Sequence, residues 1–401
     1  MNNKSKWSIR RQELKVENIH LKSLVDEHIE YRNLTEQTLR HNAEFLAMLS
    51  HEIRTSLNAI LSLTELLEQT AVNTEQRYYL DLMNTSNVTL MSLVNNILDL
   101  SKMEAGKMQL ENDPFDLINT IEDVLYSLSP RAFQKQVEVI LAIESEIPLF
   151  VMGDALKVRQ IIMNLVQNAI KFTHEGELQV SLSLLASDKD VTLVKIIVRD
   201  TGIGMSTEQL KGLFKSYSQV HQTDDHVYEG TGLGLMIIKQ LIQLMNGKIE
   251  VKSEAGVGSE ISIILDFEKY TEVPAIPFKK DLLSLMRILV LDHNKTNAIL
   301  ISNLLSEWGA TVSTRFEMNE SFFIEISTDM PDLILIDMST INELLWDQKK
   351  DNLKKQQLCL LAPLGNKIDG EFKEFFKSVV TKPIRKLHLL NSVLAIEIDE
   401  K

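Results

Sequence analysis

Residues 45–57 read FLAMLSHEIRTSL, and the periodicity of this stretch decides how the first part of the chain is organised. Stepping about 100° per residue, Leu46, Leu49, Ile53, Leu57 and Ile60 gather on one side of a helix. His51 falls about 160° from their mean, so it points to solvent, with Glu52 and Arg54 as polar neighbours. A surface histidine alone usually carries no chemistry. Here the neighbours single it out. A neutral imidazole is nucleophilic, and an adjacent carboxylate can take or hold its second ring proton. Thr55, one turn on, shares the face and is placed to orient a water.

The helical pattern continues to Leu67, and a second one carries Leu90, Leu93, Val94, Ile97, Leu98 and Leu100. Asn73-Thr74-Glu75 lies between them as a turn and cap. Two such helices form a hairpin that cannot cover its own apolar stripe. Pairing of two chains through residues 45–112 into a four-helix bundle is the economical solution. Upstream, residues 1–44 are polar, free of Gly and Pro, with apolar residues at helical intervals and an imperfect heptad. They read as a helical, coiled-coil signalling segment. Lys4, Lys6, Trp7, Arg10 and Arg11 would suit an anionic membrane surface or, more simply, a solvated helix start.

From 113 to 270 the pattern becomes mixed. Strands are expected at Val137–Ile143, Glu177–Leu184, Leu193–Val198, Lys248–Val251 and Glu260–Leu265, and helices at Asp116–Leu128, Asp154–Phe172 and Leu233–Met245. Asn164 and Asn168, four apart, share a helix face, with Lys171 near it; two amides and a lysine suit hydrated Mg²⁺ and the phosphates it bridges. A strand runs into Asp200-Thr201-Gly202-Ile203-Gly204, an acceptor beside spaced glycines. Gly230-Thr231-Gly232-Leu233-Gly234 opens a helix whose amides can face phosphate, and Gly256-Val257-Gly258-Ser259 leads into a strand. Each glycine motif is weak alone. The four in this order are a strong signal.

The 45–57 stretch resembles the phosphoacceptor box of histidine kinases, and the four motifs, from about Asp113 to Phe267, resemble the N, G1, G2 and G3 boxes of the Bergerat-type ATPases. The resemblance implies a protein-histidine kinase that uses ATP and Mg²⁺. His51 would be the phosphoacceptor, Glu52 the acid/base, and Thr55 the residue aligning water for phosphatase activity. Asn168 would bind Mg²⁺, Asn164 its water shell, and Lys171 phosphate. Asp200 would accept from the adenine amino group, with Gly202 and Gly204 making room. Gly230, Gly232 and Gly234 would form the phosphate end of a lid, and Phe214 and Tyr217 match the aromatic box at its start. Departures are Ser56 where the family usually has proline, Glu229 for glycine, and no arginine in 221–228.

Residues 271–284, with Pro274 and Pro277, read as a linker; 285–401 alternate short apolar strands with helices, as in a small doubly wound α/β domain. This part resembles a response-regulator receiver. Asp337 matches the phosphoacceptor, Asp292 one half of the acidic pair, and Lys382 the lysine. His293 stands in for the second acid, Ala362 for a hydroxyl, and Val379 for an aromatic. These departures point to a pseudo-receiver that docks rather than accepts phosphate.

The expected fold is therefore multidomain: an all-α hairpin dimerising as a four-helix bundle, an α/β Bergerat sandwich, and an α/β doubly wound receiver-like domain. The 401 residues suffice for that number of cores, and 44% hydrophobic with 24% charged is ordinary for a soluble protein. A net charge of −14 argues against nucleic acid as partner. The single Cys359, in an apolar run, fits a buried thiol in a reducing compartment. No stretch approaches the roughly 18 uncharged apolar residues that span a bilayer, so a cytoplasmic location is expected, with any sensing of the exterior left to a partner or a missing N-terminal part. The expected activity is autophosphorylation of His51 from Mg-ATP and transfer to an aspartate on a response regulator or through a histidine phosphotransfer protein. The alternative is a nucleotide-binding scaffold that regulates a partner kinase without catalysis of its own.

Overall fold

The computed structural model describes residues 44–214, 234–270, 281–354, 356–366 and 370–398, with isolated positions before 44. The signalling segment, most of the linker, Tyr217, Glu229 and residues 230–233 lie outside the described residues. The chain divides into two compact units, Met1–Gln109 with Tyr228–Ile237, and Leu110–Val227 with Ile238–Lys401.

In the helical unit, α1 (44–68) and α2 (Thr74–Glu104) form the expected hairpin. Asn73 and Gln76 cap α2 reciprocally, each side chain accepting from the other's backbone N–H at 2.8 and 2.9 Å. Leu57, Leu80, Val94 and Leu98 are buried together with Ser50, Thr64, Asn87 and Ser101, so the buried positions are half polar. Asn87 Nδ2 donates to the Leu57 carbonyl at 2.9 Å. The stripe foreseen as one surface is split: Leu57 is buried, whereas Leu49, Ile53 and Ile60 stay exposed in the single chain. One neighbouring helix covers only one seam. At Ser56 α1 runs on unbroken, the hydroxyl donating to the Glu52 carbonyl at 3.1 Å.

The second unit holds two sheets. The first follows the order β1 (Asp113–Asp116), β3 (Phe150–Gly153), β7 (Gly258–Lys269), β5 (Val191–Asp200), β4 (Gly176–Ser187), β2 (Val137–Ile143), with β6 (Lys248–Glu254) also on β7. Only β2–β4 is parallel; the other pairs are antiparallel. Alternation drives the central strands: Leu178, Val180 and Leu182 of β4 and Val194, Ile196 and Val198 of β5 are buried. α3 (Leu117–Gln134) and α4 (Ala155–Phe172), N-capped by Asp116 and Asp154, pack against each other and the sheet. Ile121, Leu125, Ile161, Ile162 and Leu165 supply the buried faces. α5 (Thr207–Gly212) follows the Asp200 turn, and α6 (Gly234–Leu244) sends Ile238, Leu241 and Ile242 into the core.

The second sheet is wholly parallel, β12 (Ser378–Lys382), β11 (Gln357–Pro363), β10 (Leu333–Asp337), β8 (Arg287–Leu291), β9 (Thr311–Arg315). Successive strand residues enter opposite cores. Val290, Leu335, Cys359 and Leu361 join Leu305 of α7 (Lys295–Glu307) and Val393 of α11 (Lys386–Ile398) on one side. Leu289, Ile336 and Leu360 join Phe322 of α8 (Glu320–Asp329) and Trp346 of α9 (Glu343–Leu353) on the other. This is a doubly wound fold with flavodoxin-like strand order. Burial pushes the Cys359 thiol up to about 11, as suits an inert core residue.

Candidate active site

His51 and Glu52 are exposed on α1, where the periodicity placed them. Thr55, also exposed, donates its hydroxyl to the His51 carbonyl at 2.9 Å, leaving its oxygen free to accept from a water. Arg54 Nη2 donates to Asn95 Oδ1 at 3.1 Å, tying the histidine-bearing turn to α2.

In the α/β unit, Asn164, Asn168 and Lys171 share one flank of α4, all half-buried. Among the described residues Asn164 Nδ2 is buried without a hydrogen-bond partner, so it is open to one from a bound group. Lys171 stacks its ammonium over the Phe172 ring at 4.9 Å. Asp200 ends β5 opposite Ser259 of β7. Burial pushes its carboxyl pKa up, while hydrogen bonds from the Gly202 N–H, at 2.9 Å, and the Ser259 backbone pull the other way. A Cβ on Gly202 would overlap the Phe172 carbonyl, and one on Gly204, held at φ 62°, would overlap that of Glu254. These two positions therefore require glycine.

The turns are laced together by a residue that sequence motifs do not flag. Ser253 accepts from the Met205 N–H at 2.8 Å, donates to the Gly258 carbonyl at 2.9 Å, and lies 2.9 Å from the Ser259 hydroxyl. Phe214 is half-buried with the Lys239 ammonium 5.1 Å over its ring, and Gly234 opens α6 as expected. Tyr217, Gly230, Thr231, Gly232 and Leu233 lie outside the described residues.

At the carboxyl edge of the parallel sheet, Asp292, Asp337 and Lys382 converge, each 0 to 1% exposed. Lys382 Nζ lies 2.6 Å from Asp337 and 3.1 Å from Asp292. The His293 ring nitrogen is 3.2 Å from Asp337, which also accepts from the Ser339 and Thr340 hydroxyls. Burial pushes Asp337 up, but the His293 hydrogen bond and Lys382 charge outweigh it and hold its pKa below the usual range. Burial dominates at Asp292, whose pKa is raised.

Residues 41–106 match the His Kinase A (phospho-acceptor) domain family, and residues 153–269 the histidine kinase-, DNA gyrase B- and HSP90-like ATPase family. Over 336 residues the chain is 36% identical to the sensor protein GacS of Pseudomonas syringae, covering 80% of this chain and 36% of that protein. The autoinducer 2 sensor kinase/phosphatase LuxQ of Vibrio cholerae is 34% identical over 294 residues, 70% of this chain and 34% of that protein. The signal transduction histidine-protein kinase BarA of Shigella flexneri is 35% identical over 276 residues, 68% of this chain and 30% of that protein. A crystal structure of full-length ShkA in complex with AMPPNP matches with TM-score 0.66 and 26% identity, over 88% of this chain and 72% of that one. The fold and these matches thus define the domain classes: a phosphoacceptor domain of the His Kinase A type and an ATPase domain of the histidine kinase, gyrase B and HSP90 type in one chain. Over these regions the chain is similar to sensor histidine kinases, and it spans about a third of the curated relatives' length. The non-catalytic scaffold alternative gains no support from these relatives, which are named as kinases and sensors.

Proposed function

We propose that this chain autophosphorylates His51 from Mg-ATP and passes the phosphoryl group to an aspartate on a response regulator, directly or through a histidine phosphotransfer protein. The observation that carries this is the pairing, in one chain, of a solvent-facing His51-Glu52 with an α/β domain in which Asn164 Nδ2 is buried with no hydrogen-bond partner among the described residues and a glycine-built turn holds Asp200. ATP would supply the γ-phosphoryl group, with Mg²⁺ offsetting its charge. Asn168 would hold the metal, Asn164 its water shell, and Lys171 the phosphates. Asp200 would receive the adenine amino group against a floor opened by Gly202 and Gly204. Glu52 would take the proton that His51 gives up, and Thr55 would aim the water in the reverse, phosphatase direction. No helix among the described residues is long and apolar enough to cross a membrane. We place the kinase in the cytoplasm, with any membrane sensing supplied by a partner or an N-terminal extension.

Dimerisation through 45–112 follows from the apolar positions that the hairpin leaves open, Leu49, Ile53, Ile60 and Leu63 among them. The C-terminal α/β domain acts as a pseudo-receiver. Asp292, His293 and Asp337 bring their ligand atoms within 4.8 Å of one another, but His293 is a poor ligand for a hard divalent cation, which prefers oxygen, and Lys382 pairs with both carboxylates. Incubation with radiolabelled ATP and Mg²⁺ tests the reading: label is expected on His51 and nowhere else.

A further inference from the structure

The parallel-sheet domain grips the ATPase-type sheet at the strand end that leads into the nucleotide motif. Asn294 Nδ2 and Thr296 Oγ1, where α7 begins, donate to the two carboxylate oxygens of Glu177 at 3.0 and 3.1 Å. Glu177 is the second residue of β4, and its backbone is tied twice to Thr201. The Thr201 N–H donates to the Glu177 carbonyl at 3.1 Å, and the Glu177 N–H to the Thr201 hydroxyl at 3.0 Å. Thr201 is the residue between Asp200 and Gly202, whose own hydrogen bond closes the turn.

Other contacts hold the same face. Lys382 Nζ, already shared between Asp292 and Asp337, lies 2.7 Å from Glu138 of β2. Arg385 meets Asp123 of α3 at 2.9 Å and Glu122 at 3.9 Å, with its guanidinium 4.6 Å over the Tyr126 ring. Ser145 donates to Glu307 at 2.8 Å. The lysine that would steady a phosphoryl group in a working receiver is here occupied with a carboxylate of the neighbouring domain.

We propose that docking of the C-terminal domain is coupled to nucleotide binding through the Glu177–Thr201 link. The inference rests on the reading of Asp200 as the adenine acceptor. With both Glu177 oxygens held, the β4–β5 end loses freedom and the Asp200 turn is ordered before the base arrives. A nucleotide then spends less of its binding free energy on ordering the turn. By linkage, nucleotide in turn tightens the dock by the same factor.

The test uses the full chain, a fluorescent ATP analogue with Mg²⁺, and amide hydrogen exchange. Thr296→Val removes one grip on Glu177; Arg385→Glu sets an acid against Glu122 and Asp123; Arg385→Lys keeps the charge. Thr296→Val and Arg385→Glu should each weaken analogue binding by about fivefold, with Arg385→Lys close to wild type. In the wild type, nucleotide should slow exchange at residues 294–297. Faster exchange there in Arg385→Glu, with unchanged affinity, overturns the coupling and leaves the nucleotide reading standing. No binding by the wild type at millimolar analogue removes the nucleotide reading, and the coupling with it.

Discussion

At the residue scale, the positions with chemistry divide into those that motifs announce and those that only tertiary structure brings in. Gly202 and Gly204 are visible because a close backbone approach admits no other residue type, and Asp200 because it stands beside them at the strand end. Asp200→Asn keeps the shape but can turn a donor toward the adenine amino group. It should weaken adenine nucleotide binding by about 1–3 kcal/mol, the cost of one buried mispairing, read by calorimetry. Asn168→Ala should instead depress Mg²⁺-dependent transfer more than affinity. Ser253 was not legible, since a serine in a strand usually carries nothing. Glu138, Glu177 and Arg385 were not legible either, because their partners lie more than a hundred residues away in sequence. Burial pushes the Glu122 carboxyl up to about 7 against the pull of Arg385. An acid with a raised folded pKa binds its proton more tightly when folded. Its contribution is therefore complete below the ordinary carboxylate range and lost as pH rises through about 7. His293, raised by its hydrogen bond to Asp337, adds a loss of the same sign at higher pH. The melting temperature should therefore fall as pH rises from the ordinary carboxylate range through about 7 and on above the ordinary histidine range, and Glu122→Gln should flatten the lower part of that slope.

At the element scale, long periodic segments declared themselves. α1, α2 and α4 follow the apolar spacing, and the capping box at Asn73 sits where the turn was expected. β1 and β3, four residues each, were not seen in the sequence, because strands that short show no usable alternation. β4 and β5 run longer than their apolar cores suggest, since their pairing with each other, and that of β5 with β7, carries the ladder past the hydrophobic run. The stripe on α1 was legible as apolar, but its division into a covered and an uncovered seam was not; that needs the position of α2. The uncovered seam carries a prediction. Ile53→Glu with Ile60→Glu should convert a dimer to a monomer in sedimentation, each side chain forfeiting roughly 1.5–3 kcal/mol of burial. A chain that sediments as a monomer before substitution would show that the seam serves another purpose.

At the scale of the whole molecule, strand order explains why the C-terminal cluster of charged side chains exists. A parallel sheet places the ends of β8, β10 and β12 side by side, so Asp292, Asp337 and Lys382 meet whatever their use. Residue types decided the rest: His293 closes on Asp337, and Lys382 reaches across to Glu138. With Mg²⁺ and acetyl phosphate, the His51→Gln chain should therefore gain little or no phosphate on Asp337 by intact-protein mass spectrometry. The central claim is that His51 is the phosphoacceptor, and incubation with γ-labelled ATP and Mg²⁺ tests it most directly. The account predicts a label that is labile in acid and stable in base, as a phosphoramidate is, and absent from His51→Gln although that variant still folds and binds nucleotide. An acid-stable label, or one that persists in His51→Gln, would contradict it.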